Sequence, residues 1–252
     1  MTIHQKNFIE FGMLPFVGRE TILERILSFL TTTQQSETLQ IALIQGEAGV
    51  GKTSFIKHIT PILEESGYTI IHIKLFPEGV TSIIELMASA LNNKKIEDVI
   101  KIPLKGNLIE LVSSIRRLCQ LKQFVVVIED IHLLNEESQK ELLNFQEALK
   151  DETLPIILLS RPIDNLIRSI FELRQTEEII FENLNELEVG EIFNKILNKE
   201  ISSSKLKIIL EETFGNALVI HSLILKLKRT NEISYQGNIG ELNCDDLLLK
   251  DY

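Results

Sequence analysis

The stretch "LQIALIQGEAGVGKTSFIKHITPILEE", residues 39–65, constrains the fold of this chain more than any other. Residues 39–45 have the length and apolar continuity of a strand buried on both faces. A helical pattern begins near Lys52 and runs to about Glu65. Between them the chain must end a strand, turn and enter a helix within eight residues, and Gly46, Gly49 and Gly51 fall in that interval. Gly46, Gly51, Lys52 and Thr53 stand at the spacing G-x-x-x-x-G-K-[ST]. Glycine reaches positive φ and lets backbone approach a ligand closely. Successive N–H groups can then point inward as an anion nest, reinforced by the first turn of the helix. The residues of this loop, Gly46, Glu47, Ala48, Gly49, Val50, Gly51, Lys52, Thr53 and Ser54, are the expected phosphate-binding set. Lys52 supplies a point charge to the β and γ phosphates. The Thr53 hydroxyl is placed to ligate Mg²⁺, with Ser54 alongside.

The rest of the chain repeats the strand–helix alternation. "YTIIHIKLF" (68–76, closed by Pro77), "QFVVVIED" (123–130), "LPIILLS" (154–160) and "EEIIFEN" (177–183) read as four further strands. Helices are expected over 80–92, 107–121, 136–149 and around 163–174. Residues 93–106 form a charged loop marked by Pro103 and Gly106. In 107–121, Leu108, Leu111, Val112, Ile115 and Leu118 share one helical stripe. Such alternation implies parallel pairing through right-handed crossovers, hence a three-layer α/β sandwich. Ligands in such sheets bind beyond the carboxyl ends of the strands.

After Asn183 the pattern changes and no further strand is convincing. Asn185 is a candidate N-cap, with Glu188 three residues on as in a capping box. Helices over about 203–213 and 216–229 follow, with Gly215 between them. The expected organisation is a nucleotide-binding core over 1–183, a helical lid over 184–230, and a tail or truncated start of a following domain over 231–252. "DDLLLKDY" at the end reads as a helix cut short, as in an excised piece of a larger protein.

Composition narrows the partners. The chain has 252 residues, 44% of them hydrophobic, enough for a substantial core. Its formal charge of -10 argues against a general nucleic-acid binder, which needs a broad positive face, so nucleic acid is an unlikely partner. "KLKRT" (226–230) reads as a solvated helix end. Cys119 and Cys244 have neither CxxC nor metal-ligand spacing, and a reducing cytoplasm is the simplest setting. No signal peptide is legible at the N-terminus. No apolar run approaches the roughly 20 residues of a membrane helix.

A loop that binds magnesium and triphosphate needs carboxylates nearby, and "FVVVIED" supplies two at a strand's carboxyl end. Glu129 is expected in the Mg²⁺ shell and Asp130 at the attacking water, which it would orient or deprotonate. Arg161, after "PIILLS", is a cation that can sense the γ-phosphate and stabilise transition-state charge. Arg116 and Arg117 read as a solvated face, with an arginine finger in an oligomer as the alternative. His58 and His72 read as structural.

Taken in order, "FVGRE" (16–20), "GEAGVGKTS", "VVVIEDIHLL", "LLSRP" and "FGNALVIHSLI" (214–224) resemble the AAA+-related ATPase module of the STAND class, signal-transduction ATPases with numerous domains. The resemblance covers roughly residues 14–230. It implies a P-loop core with sheet order 5-1-4-3-2 followed by a helical lid, with the nucleotide between them. It implies that Phe16, Val17, Gly18 and Arg19 line the adenine pocket. The lid motif, here Gly215, Asn216 and Ala217, would close over base and ribose. ADP would hold a resting form, and exchange for ATP would promote assembly.

The chain departs from that pattern in several places. Glutamate precedes aspartate at 129–130, whereas relatives more often have aspartate first. Ala217 replaces the lid proline, and Ile22 stands where relatives often carry glutamate. His132, Leu133, Leu134 and Asn135 stand where relatives often read His-Trp-Ala-Asp, so part of the water-positioning chemistry is missing and hydrolysis is expected to be slow. The resulting expectation is an ATP/ADP- and Mg²⁺-binding, slowly hydrolysing regulatory ATPase that acts as a conformational or assembly switch on a protein partner or on itself. A DNA-acting ATPase related to origin-recognition or loader proteins is one alternative. A nucleotide-binding scaffold that never hydrolyses is the other.

Overall fold

The computed structural model describes residues 3–4, 6–7, 14–76, 82–94, 106–163, 176–237 and 239–242. The expected helix at 163–174, most of the loop at 93–106, Pro77 and the segment 243–252 lie outside the described residues. The chain divides into two compact units. The larger holds Ile22–Glu47 and Lys52–Phe181; the smaller holds Ala48–Gly51 with the segments up to Thr21 and from Glu182 onward.

The larger unit is built on a five-stranded parallel sheet of β1 (Gln40–Gln45), β2 (Tyr68–Lys74), β3 (Gln123–Glu129), β4 (Pro155–Ser160) and β5 (Thr176–Ile180), in the order β2-β3-β4-β1-β5. This is the expected 5-1-4-3-2 order. Every residue of β1 and β4 is buried. Crossover helices cover both faces, so these strands read as continuous apolar runs rather than alternating ones. The core includes Leu43, Ile73, Leu111, Ile115, Val126, Ile128, Phe145 and Leu158. Phe55 and Phe181 pack edge to face with ring centroids 5.4 Å apart.

The helices are α1 (Glu20–Ser36), α2 (Lys52–Glu65), α3 (Ile83–Asn93), α4 (Leu108–Leu121) and α5 (Glu136–Ala148), with a 3-10 turn at Ile131–Leu133. Helix α1 is not announced by the strand–helix alternation of the sequence. Its buried stripe of Ile26, Phe29, Leu30 and Thr33 has helical spacing, but the polar run "TTTQQS" disguises its last turns. β5 ends at Ile180 rather than at 183, although the Phe181 N–H still bonds the Gln45 carbonyl at 2.6 Å.

The smaller unit contains α6 (Glu186–Leu197), α7 (Ser203–Thr213) and α8 (Ala217–Arg229). The capping box is present. The Asn185 Oδ1 accepts from the Glu188 N–H at 3.0 Å, and Glu188 Oε2 accepts from the Asn185 N–H at 2.7 Å. Val189, Phe193, Ile220, Leu223, Ile224 and Val17 form its core.

The expectation of no strand beyond 183 is corrected by an antiparallel hairpin of β6 (Ile233–Gln236) and β7 (Ile239–Leu242). Gly237, at φ 65°, turns the chain. The hairpin sits on α6: the Tyr235 hydroxyl donates to the Ile196 carbonyl at 3.2 Å. Two short segments of mixed apolar and polar or glycine residues, ISYQ and IGEL, joined by Gly-Asn were a hairpin signal in the sequence, weakened by their length of only four residues each.

Candidate functional site

In the larger unit, the residues singled out in the sequence gather at the carboxyl ends of β1, β3 and β4. The Gly46 N–H bonds the Ser160 carbonyl at 3.3 Å, tying the start of the loop to the end of β4. The Lys52 ammonium donates to the carbonyls of Gly46, at 2.6 Å, and Glu47, at 2.9 Å. Burial lowers the Lys52 pKa; Asp130 opposes this, Arg161 adds to it, and Glu47 and Glu129 oppose it again.

The Thr53 hydroxyl donates to Glu129 Oε2. His72 Nε2 lies 2.6 Å from the other carboxylate oxygen, Oε1. The Glu129 side chain is only 1% exposed. Burial alone pushes its carboxyl up. The bonds from His72 and Thr53, with the charges of His72 and Lys74, outweigh that and hold it below its ordinary value. Asp130 follows in the left-handed conformation, φ 63°, which aspartate tolerates better than most residues. Its carboxylate lies 3.7 Å from the Lys74 ammonium. Glu129 and Asp130 therefore point to different surroundings, one enclosed and bonded twice, the other half-exposed.

His132 lies in the 3-10 turn after Asp130. Burial lowers its pKa, with Asp130 acting against that and Arg161 and Lys52 with it. These four groups thus share one electrostatic neighbourhood. Neither His132 Nδ1 nor the fully buried Ser160 Oγ has a hydrogen-bond partner among the described residues. Arg161 is exposed. Asn135 caps α5, accepting from the Ser138 N–H at 2.8 Å, a task an aspartate would perform equally.

One expectation is corrected here, and the solvated face expected at Arg116 and Arg117 is found, since both are exposed. His72 is more than a strand residue, because it bonds Glu129. The signal lay in strand periodicity: β2 and β3 pair in parallel with His72 opposite Val127 and Lys74 opposite Glu129, so these four residues share one face of the sheet. Arg116 is engaged locally, donating to the Ala148 carbonyl at 2.7 Å and pairing with Glu152 at 3.1 Å.

In the smaller unit, the loop tip Ala48–Gly51 meets the start of α8. Asn216 caps that helix, accepting from the Leu218 N–H at 3.1 Å and the Val219 N–H at 3.3 Å. Its amide donates to the Ala48 carbonyl at 2.9 Å, and the Leu218 N–H reaches the Gly49 carbonyl at 2.9 Å. Gly49 has φ 82°, and a Cβ there would lie 2.6 Å from Asn216 Oδ1. Ala217 is the first residue of α8, the position at which a proline would fit. With Asn216 bonding two N–H groups, the helix start is defined without one.

Phe16 is half-buried, Val17 sits in the core of this unit, and Arg19 is buried. Arg19 donates to the Glu182 carbonyl at 2.8 Å. Burial lowers its pKa, against the charges of Glu188, Glu182 and Glu20. Gly18 has φ 70°, and a Cβ there would lie 2.0 Å from Glu188 Oε1, the capping-box carboxylate.

The residues present fit a magnesium nucleotide. Mg²⁺ takes hard oxygen ligands and is satisfied by one or two carboxylates together with phosphates and water. Thr53 and Glu129 present such oxygens side by side, and Lys52 and Arg161 supply positive charge. The orphaned Ser160 Oγ and His132 Nδ1 await polar partners in the same region.

A parallel sheet in this order, with a G-x-x-x-x-G-K-T loop after β1 and carboxylates after β3, defines a P-loop NTPase. Residues 15–159 match the family model described as AAA ATPase domain, and the chain belongs to that family. No curated protein matches it. Among solved structures, it is similar to Drosophila ORC bound to DNA (12% identity, TM-score 0.64, covering 90% of this chain and 60% of that one). It is also similar to Cdc6p from Pyrobaculum aerophilum (12% identity, TM-score 0.62, covering 90% and 66%). A third is the Aeropyrum pernix ORC1 protein in complex with DNA (16% identity, TM-score 0.58, covering 88% and 63%). The chain thus spans less than two thirds of the length of these structures, and at such identities the likeness is one of fold. The expectation that set nucleic acid aside is corrected by these neighbours, two of which are complexes with DNA. Net charge describes a whole surface, whereas a DNA contact needs only a local one. Among the described residues no helix is long and apolar enough to cross a membrane.

Proposed function

We propose that this chain is an ATP-binding, slowly hydrolysing AAA+ module whose nucleotide state governs its engagement with DNA. The observation that carries the nucleotide chemistry is the bond between Thr53, from the loop, and the buried Glu129, from the end of β3. The DNA half of the proposal is supported by the DNA-bound neighbours of the same fold. In this reading Gly46–Ser54 hold the phosphates, and Thr53 and Glu129 hold Mg²⁺. Bound magnesium would polarise the phosphates as a Lewis acid. Lys52 leaves the Gly46 and Glu47 carbonyls and neutralises the β and γ oxygens. Asp130, left half-exposed, orients or deprotonates the attacking water. Arg161 reads the γ-phosphate. Phe16, Val17, Gly18 and Arg19, with Asn216 and Ala217, serve the base and ribose.

A STAND-type regulatory switch in the cytoplasm is the second reading. It is favoured by the bonds from Asn216 and Leu218 to the Ala48 and Gly49 carbonyls, which couple the start of α8 to the loop tip. A loop tip that reshapes around phosphate would move that helix with it.

The test is Mg²⁺-dependent ATP hydrolysis with and without duplex DNA over a series of salt concentrations. The proposal expects slow hydrolysis, stimulated by DNA, with stimulation falling steeply as salt rises because phosphate contacts release counterions. Hydrolysis indifferent to DNA at every salt concentration, with ADP retained through purification, would favour the switch. Absence of ATP binding would overturn both.

A further inference from the structure

We propose that His72 is a positioning residue that fixes the Glu129 carboxylate for magnesium, so that the Mg²⁺ dependence of nucleotide binding is set from β2 as well as from the phosphate loop. The inference rests on the reading of Glu129 as a magnesium ligand.

Glutamate has one more rotatable bond than aspartate, so a ligating glutamate must lose more side-chain freedom to hold one geometry. In this chain both of its oxygens are engaged. Thr53 takes Oε2, and His72 Nε2 stands 2.6 Å from Oε1. An ionised carboxylate only accepts hydrogen bonds, so the His72 proton on this contact resides on Nε2 and is donated. The two donors come from different strand–helix units of the sheet and clamp the carboxylate from both ends. Removing one leaves a carboxylate that is 1% exposed with an unsatisfied oxygen, free to rotate away from Thr53. His72 is itself 37% exposed on an edge strand, so its replacement does not open the core. It touches the ligand of the metal rather than the metal, as the outer partners that orient metal-binding side chains do.

The experiment is titration of a fluorescent ATP analogue into the whole chain, in Mg²⁺ and in EDTA, for wild type, His72→Ala, His72→Gln, Glu129→Ala and the double variant. The Mg²⁺ enhancement of affinity should fall about tenfold or more in His72→Ala, with affinity in EDTA unchanged. His72→Gln, which places an amide donor where Nε2 was, should restore most of it. In the Glu129→Ala background, His72→Ala should add nothing, as two residues acting through one contact require.

If the enhancement is untouched in His72→Ala while Glu129→Ala abolishes it, the inference about His72 falls and the magnesium role of Glu129 stands. If Glu129→Ala also leaves the enhancement intact, the underlying reading falls. Equal losses in Mg²⁺ and in EDTA for His72→Ala would mean a structural role and overturn the inference. Should His72→Ala fail to fold, His72→Val, which suits a strand and lacks the donor, carries the same comparison.

Discussion

The Lys52 ammonium rests 2.6 Å from the Gly46 carbonyl oxygen, folded back over its own loop. Among the described residues its hydrogen bonds go to the backbone carbonyls of Gly46 and Glu47, which is a weak use of a full charge. Phosphate oxygens would compete for it strongly, since charge-assisted bonds are roughly twice as strong as neutral ones. Lys52→Ala should therefore lower ATP affinity by about a hundredfold with little change in melting temperature. Calorimetric titration checks this, and an unaltered dissociation constant would remove Lys52 from the site.

Asp130 and Glu129 are adjacent in sequence but differ in surroundings, and their variants should differ in kind. Asp130→Asn should preserve ATP binding and slow single-turnover hydrolysis by about 10²–10⁴. Equal rates for wild type and variant would support a scaffold that binds without hydrolysing.

Arg161 follows the buried end of β4 and shares the electrostatic neighbourhood of Lys52 and His132. Arg161→Ala should weaken ATP more than ADP. The ratio of the two affinities is the measurement, and a ratio equal to that of wild type would exclude Arg161 as a γ-phosphate sensor.

Gly215 has φ 70°, and a Cβ there would lie 2.0 Å from the Leu184 carbonyl oxygen. Its own carbonyl accepts from the Leu184 N–H at 2.8 Å, so the backbones are locked face to face. Gly215→Ala should destabilise the smaller unit by at least about 1–3 kcal/mol from the backbone conformation alone. Thermal unfolding followed by circular dichroism measures it, and an unchanged midpoint would contradict the packing described.

Cys119 offers a test of burial in the larger unit. Burial, reinforced by the charge of Glu152, pushes its thiol up from 9.0 to about 12. The thiolate is the reactive form, so at pH 8 its fraction should be about a thousandfold lower folded than unfolded. In a Cys244→Ser background, alkylation at pH 8 should be correspondingly slow in buffer and fast in urea. Equal rates in the two would show that the thiol is not shielded.

The strand–loop–helix unit at 39–65 and the carboxylates at the end of β3 were legible because local rules govern them, whereas the sheet order, a relation between distant segments, was implied only by the family resemblance. Buried parallel strands need apolar runs, and a loop that wraps phosphate needs glycines at set intervals. Asn185 and Glu188 were legible for the same reason, since a capping box is a relation within four residues. The hairpin β6–β7 and helix α1 were not read, one because its strands are so short, the other because polar residues cover its last turns.

The sequence by itself determined that a phosphate-shaped loop follows β1 and that acidic side chains end β3, since short-range spacing and backbone freedom decide both. Only the tertiary structure decided that Glu129 is enclosed and Asp130 half-exposed, that His72 rather than a neighbour in sequence steadies Glu129, and that Gly18 makes room for Glu188. Those relations arise from the register of paired strands and the close approach of separate segments. Residues far apart in the chain meet there, and no local pattern records the meeting.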